Sequence, residues 1–335
     1  MKLIFQSIRQ ALQVTRRKLA RTFLHWRLRG RPEQEILAQE RKLRGKEQVA
    51  TLRQADIVIV SFGKSGRTWL RVMLSHLFRV MYKLPENAVM GFDNFHNINA
   101  AVPKVFFTHD NYIKDFADEF DSKKSFYGKR VVLLARDPRD VAVSQFFQWK
   151  FRMKPAKLAI NNYPPRDADI SLYDFVTGDN GGGSMKAVSA FLNLWAREAD
   201  NIENLHLLRY EDLRATPNLE LRKLLDFMQV NASDAEVDAA VEFSSYENMK
   251  KMEGSSQFRL SGDRLKPGDK GNPDSFKVRR AKVGGYRDYF DDEQVTAIDQ
   301  QLASTLDPVF KYEASTASER ALASLSANKR QRILT

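Results

Sequence analysis

The stretch Ile57-Val58-Ile59-Val60-Ser61-Phe62-Gly63-Lys64-Ser65-Gly66-Arg67-Thr68-Trp69-Leu70 decides how this chain folds. Four β-branched residues in a row read as a short buried strand. They break into a loop holding two glycines, a lysine and the hydroxyls of Ser65 and Thr68, and the pattern that follows predicts a helix over 70–81. Such a strand–loop–helix unit is a phosphate cradle. Its glycines let the backbone curl so that N–H groups and the positive helix end point at an anion. Lys64 supplies a movable point charge, and the hydroxyls supply donors. The loop is not a full Walker A, because Val58 stands where that pattern places its first glycine. On these residues alone, a nucleotide-kinase reading and other phosphate-binding readings both stand.

Working outward, residues 104–107 predict a second strand ending in Thr108-His109-Asp110, and 131–135 a third ending in Arg136-Asp137-Pro138-Arg139-Asp140. Residues 205–208 predict a fourth, ending at Arg209-Tyr210-Glu211-Asp212. Apolar runs of this kind suit a parallel sheet covered on both faces. Helices are expected over 138–152, with Pro138 in a favourable first-turn position, and over 187–201, 217–228, 234–243 and 291–302. Residues 153–186, with Pro164-Pro165 and Gly181-Gly182-Gly183, read as a long loop, and 254–285 as polar and glycine-rich. The fold class is therefore α/β: a parallel sheet of about five strands with helices on both faces. The Gly63 loop, His109, Arg136 and Tyr210 each follow the carboxyl end of a predicted strand, the edge where open parallel sheets bind ligands.

The 335 residues carry 54 Lys and Arg against 42 Asp and Glu, a net charge of +12, and no cysteine. Disulfides, thiolate metal sites and cysteine nucleophiles are thereby excluded, which fits a reducing cytoplasm. The five histidines form no H-x-x-x-H pair, and no metal is expected. Residues 1–53 hold 14 Lys and Arg against four Glu, so +10 of the net charge of +12 lies there and the remainder is nearly neutral. The high isoelectric point is thus an N-terminal property and does not argue for nucleic acid. No apolar run reaches the roughly 20 residues of a bilayer span.

Residues 1–28 read as a basic amphipathic helix. Phe5, Ile8, Leu12, Leu19, Phe23 and Trp26 fall on one broad face, with Arg9, Arg16, Arg17, Lys18 and Arg21 between them. Peripheral docking on the cytoplasmic face of an anionic membrane, a homodimer helix, and packing on the body are the three readings. Gly30-Arg31-Pro32 ends it, and a second charged helix runs to about Gln54. The domain expectation is a basic helical extension over 1–53, one catalytic domain over 54–312, and a disordered tail over 313–335.

Taken together, the motifs resemble the cytosolic-type sulfotransferases, bacterial members included, that use 3′-phosphoadenylyl sulfate (PAPS). Their Pro-Lys-Ser-Gly-Thr-Thr-Trp loop is similar to Gly63-Lys64-Ser65-Gly66-Arg67-Thr68-Trp69. Their second signature matches Arg136 through Ser144, with Asp140-Val141-Ala142-Val143 between. Their Tyr-Glu-Asp-Leu turn matches Tyr210 to Leu213, and their Thr-Ser-Phe-x-x-Met segment is similar to Ser244-Ser245-Tyr246-Glu247-Asn248-Met249. The late Arg-Lys-Gly element is matched more loosely by Arg279-Arg280-Ala281. The matches run from about 56 to 295 in the family's order.

The resemblance implies a P-loop NTPase-like three-layer fold and sulfuryl transfer from PAPS to an acceptor hydroxyl, releasing adenosine 3′,5′-bisphosphate (PAP) without a metal. It implies that Lys64, His109 and Ser144 are the catalytic set. Lys64 would contact the 5′-phosphosulfate within the donor loop Lys64-Ser65-Gly66-Arg67-Thr68-Trp69, and His109 would be the general base. Arg136, Ser144, Arg279, Arg280 and the backbone near Ala281 would hold the 3′-phosphate. Trp69 and Tyr246 would sandwich the adenine, with Tyr210 and Ser244 nearby. Three positions depart from the family pattern: Arg67 replaces a threonine, Phe107 a lysine, and Ala281 the closing glycine. The acceptor, whether lipid, glycolipid, saccharide or small metabolite, has no motif. An ATP-dependent P-loop kinase and a membrane-associated nucleotide-binding module without catalysis are the other readings.

Overall fold

The computed structural model describes residues 2–86, 88–179, 181–255, 267–269 and 271–312, with side chains at 12 and from 14 onward; the tail 313–335 lies outside the described residues. Two long helices lead, α1 (Lys2–Arg27) and α2 (Glu33–Arg53). Then come β1 (Ile57–Val60), α3 (Arg67–Tyr82), β2 (Val105–Thr108), α4 (Ile113–Ala117), β3 (Arg130–Ala135), α5 (Pro138–Phe151), α6 (Pro155–Ile160), α7 (Leu172–Thr177) and α8 (Met185–Arg197). The chain continues through β4 (Asn204–Arg209), α9 (Tyr210–Ala215), α10 (Pro217–Met228), α11 (Asp234–Phe243), α12 (Tyr246–Ser255) and α13 (Asp292–Thr305).

The four strands form one sheet in the order β2-β1-β3-β4, every pair parallel. The parallel sheet is as the apolar runs predict; among the described residues it has four strands, where about five are expected. Alternation along each strand splits the core in two. Val58, Val60, Val131, Leu133 and Ala135 face one layer, with Val141, Val188, Trp195 and Ile298 from α5, α8 and α13. Ile57, Ile59, Val132, Leu134 and Leu208 face the other, with Leu70, Leu74, Leu224 and Val237 from α3, α10 and α11. Helices therefore cover both faces, and β1 sits fully buried at the centre.

Register places the functional ends. Val60 pairs with Thr108 and Leu133, and the ladder runs one residue further, with Ser61 N donating to the Thr108 carbonyl. Ser61 and His109 thus leave the sheet side by side. The region 153–186 is not an open loop. Pro155 starts α6, Ser171 caps α7 by accepting from Asp174 N at 3.0 Å, and Trp149, Leu158 and Phe175 form a separate apolar cluster. Elements of six residues carry too little periodicity to read as helices from the sequence.

The extension is joined to the body through α2, whose Val49 and Leu52 enter the main core. Gly45 lies where α2 crosses α4: a Cβ there would meet the Tyr112 carbonyl and come within 2.7 Å of the Phe116 Cβ. Two effects oppose each other on substitution. Gly→Ala in a helix interior gains roughly 1 kcal/mol of propensity, whereas overpacking costs typically about 1–3 kcal/mol. Here the obstructing atom is backbone, so overpacking wins. Gly45→Ala should lower the melting temperature by a few degrees; an increase would show that α2 is not pressed against α4.

Candidate active site

The loop between β1 and α3 carries two left-handed residues, Lys64 (φ 70) and Gly66 (φ 91). At Gly66 a side chain is barred twice over, because a Cβ would also stand 2.6 Å from the Tyr210 ring. Tyr210, at the end of β4, is thus the floor on which the loop rests. Arg136, at the end of β3, lies over that same ring at 4.4 Å and donates to the Lys64 carbonyl at 3.1 Å. Arg136 also donates to Asp140 and to the Lys282 carbonyl, each at 3.3 Å. The helix salt bridge that its sequence spacing allows is formed, and the guanidinium still faces the cleft.

Lys64 is surrounded by positive charge. Burial first, and then Lys277, Arg152, Arg279 and Arg136, push its ammonium well below its usual value of 10.5. Like charges gathered at the N-terminus of a helix create a demand for an anion. Lys277 lay in plain view in the late basic cluster. Arg152 did not, since its approach depends on how α5 ends against the 270s segment.

His109 leaves β2 with its ring clasped from both sides. Its Nδ1 is 2.8 Å from the Ser61 carbonyl oxygen, and its Nε2 is 2.6 Å from Arg67 Nη2. A carbonyl only accepts and a guanidinium only donates, so Nδ1 carries the proton and Nε2 offers its lone pair. Burial, then the Arg67 charge, hold the imidazole well below its usual 6.5, with the Ser61 carbonyl opposing. Asp110 turns away: at φ 52 its carboxylate pairs with Lys123. The carbonyl of Ser61, and not the neighbouring acid, orients the ring.

A second group gathers around α5. Ser144, Arg279, Arg280 and Ala281 line the same cleft. Asp140 braces this side, accepting from Gly284 N and Tyr286 N at 3.0 Å each and so tying the late segment to the α5 N-terminus. Arg279 stacks over the Phe147 ring at 3.7 Å. Ala281 adopts φ 50, the left-handed region where glycine costs least. Trp69 Nε1 donates to the Ser244 carbonyl at 2.7 Å, and the Tyr246 hydroxyl donates to the Arg279 carbonyl at 3.0 Å. Two aromatic faces are thereby fixed on one wall.

Of the predicted residues, Lys64, Gly66, Arg67, Thr68, Trp69, His109, Arg136, Ser144, Tyr210, Ser244, Tyr246, Arg279, Arg280 and Ala281 all line one cleft of about 3200 Å³. Ser65 does not; its side chain is buried in the protein, only 2% exposed. The cleft runs from this wall past Lys157 and Tyr163 to Arg41 and Arg44 of α2 and Arg16 of α1.

The chain is similar to known proteins. The profile of the sulfotransferase domain family matches residues 54–309. Sulfotransferase 2A6 of Mus musculus is 23% identical over 265 residues, covering 74% of this chain and 83% of that protein. Cytosolic sulfotransferase 17 of Arabidopsis thaliana is 25% identical over 268 residues, covering 74% and 73%. A crystal structure of mouse sulfotransferase SULT7A1 complexed with PAP aligns with a TM-score of 0.49 at 19% identity, over 84% of this chain and 94% of that one. The family match decides between the readings the loop left open.

The clasp on His109 has a spectroscopic signature. Neutral imidazole in water favours the Nε2–H form, whereas the geometry here demands Nδ1–H. Long-range ¹H–¹⁵N correlation at pH 7 should show His109 as the neutral Nδ1–H tautomer, and a protonated or Nε2–H ring would contradict the arrangement.

Proposed function

This chain belongs to the sulfotransferase domain family and is a PAPS-dependent sulfotransferase; from that premise we propose which residues move the sulfuryl group and where the acceptor is met. The carrying observation is that the His109 ring, whose Nε2 accepts from Arg67, and the cation-rich loop at Lys64 line one cleft. PAPS supplies a sulfuryl group on an anionic leaving phosphate. In our reading Lys64 and the loop N–H groups neutralise the charge that grows on that phosphate as its O–S bond breaks, an electrostatic contribution preorganised by the Gly66–Tyr210 contact. His109 Nε2 takes the acceptor hydroxyl's proton as the new O–S bond forms, and PAP leaves. Arg136, Ser144, Arg279, Arg280 and the Ala281 backbone hold the 3′-phosphate, Trp69 and Tyr246 the adenine, and Thr68 and Arg67 the 5′-phosphosulfate. Residues 54–312 form the catalytic unit.

His109→Ala should lower turnover by about 10²–10⁴-fold and Lys64→Ala by about 10²–10³-fold, both with unchanged circular dichroism; normal turnover in either removes that assignment. The pH profile follows from the two displaced groups. His109 must be neutral, so activity falls as pH drops through its lowered value, below the usual 6.5. Lys64 must be charged, so activity falls as pH rises through its own lowered value, below 10.5. Bound donor returns negative charge to Lys64, so the basic limb of kcat should lie above that of kcat/KM.

For the acceptor, α1 is the informative element. Arg21 pairs with Glu47 at 2.7 Å and His25 with Glu40 at 2.7 Å, holding one side of α1 on α2. The opposite side leaves Leu12 and Leu19 each 64% exposed, Phe23 59% and Trp26 67%. By helical spacing Arg16 and Arg27 flank this stripe on one edge and Lys18 on the other. An apolar stripe between basic edges complements an anionic bilayer surface. Among the described residues no helix is long and apolar enough to cross a membrane, so α1 would lie in the surface, with the cleft mouth beside it. The acceptor in this reading is an amphiphile offered from that surface. The paired change Leu19→Glu and Phe23→Glu should abolish co-flotation with phosphatidylserine vesicles while sparing PAP affinity. Unchanged flotation would refute membrane docking, and a shift from dimer to monomer would assign the face to a second copy of the chain.

A further inference from the structure

We propose that Arg67 is a positioning residue that masks Nε2 of His109 until the donor arrives, and then exchanges the imidazole for the donor's phosphosulfate. The inference rests on the reading of His109 as the base, and it concerns what controls that base. While the guanidinium donates to Nε2 at 2.6 Å, an acceptor hydroxyl has no lone pair there to which it can donate. The other ring nitrogen offers no alternative, because its proton is committed to the Ser61 carbonyl.

The position of Arg67 makes the exchange geometrically available. It is the first residue of α3, directly after Gly66, so its backbone belongs to the phosphate cradle while its side chain reaches across to β2. A guanidinium prefers a phosphate or sulfate oxygen to a neutral nitrogen, because charge-assisted pairs are roughly twice as strong and can be bidentate. An anion held between Lys64 and α3 therefore offers Arg67 the better partner, and a two-state side chain responds to that difference in affinity. The charged groups acting on His109 are Arg67 first, then Lys277 and Lys157. Moving Arg67 onto an anion relieves the largest of these, so the base strengthens when the donor is in place. Donor occupancy would thus be a condition for engaging the acceptor.

The test is the titration of His109 by NMR in the full chain, in the wild type, Arg67→Thr and Arg67→Lys, each with and without PAP. Without PAP, His109 of Arg67→Thr should titrate about one pH unit higher than wild type, a tenfold change in proton affinity. PAP should raise the wild-type midpoint by about a unit more than it raises that of Arg67→Thr, and Arg67→Lys should recover part of the wild-type response. The remaining four histidines report whether each variant is folded. Equal midpoints in wild type and Arg67→Thr, or equal responses to PAP, would overturn the masking role. Turnover by His109→Gln is read separately: if normal, the base assignment fails, whatever the titrations show.

Discussion

The central strand β1 is hydrogen-bonded in parallel on both sides, and everything at the site depends on that. Parallel pairing sends each strand's carboxyl end to the same edge, and the register brings Val60, Thr108 and Leu133 level. The phosphate loop and the histidine segment then have nowhere to go but side by side. The ladder's last bond, from Ser61 to Thr108, also aims the Ser61 carbonyl at the imidazole. One backbone arrangement thus sets both the position of a ring and its tautomer.

A second layer of order comes from charge. The cleft wall concentrates cations around Lys64 that no sequence-wide charge count reveals, since most of the net charge lies in the extension. Holding like charges together is unfavourable unless other contacts fix them. Here those contacts are carbonyls, an aromatic face and Asp140, which also clamps Gly284 and Tyr286 against α5. Behind it, Arg139 is buried between Asp137 and Asp299, and the Tyr286 hydroxyl shares Asp299. Buried ionic groups are costly when a partner is missing, which favours the one arrangement in which all are satisfied. The late segment is thereby held where its arginines meet the cleft.

The two leading helices divide between body and surface. Helix α2 contributes to the core and is fitted to α4 at Gly45, whereas α1 touches α2 through ion pairs and leaves its aromatic stripe outward. Salt-dependent pairs in α1 and apolar packing in α2 place the two helices under different physical control.

By itself the sequence determined the local chemistry. The β-branched runs, the glycines of the 63–66 loop, Pro138 at a helix start and the ordered motifs were enough to read a parallel α/β domain and to pick residues of which all but Ser65 line a common cleft. The side chain of Ser65 is buried, and a hydroxyl in a glycine-rich loop reads the same in sequence whether it is covered or exposed. The short helices of 153–186 were also hidden, since six-residue elements carry too little periodicity to stand out. Only the tertiary structure decided what lies far apart in sequence and close in space: Tyr210 beneath Gly66, Arg152 near enough for its charge to act on Lys64, and the Arg67 guanidinium on His109. Those contacts depend on how strands register and helices end, and no spacing along the chain records them.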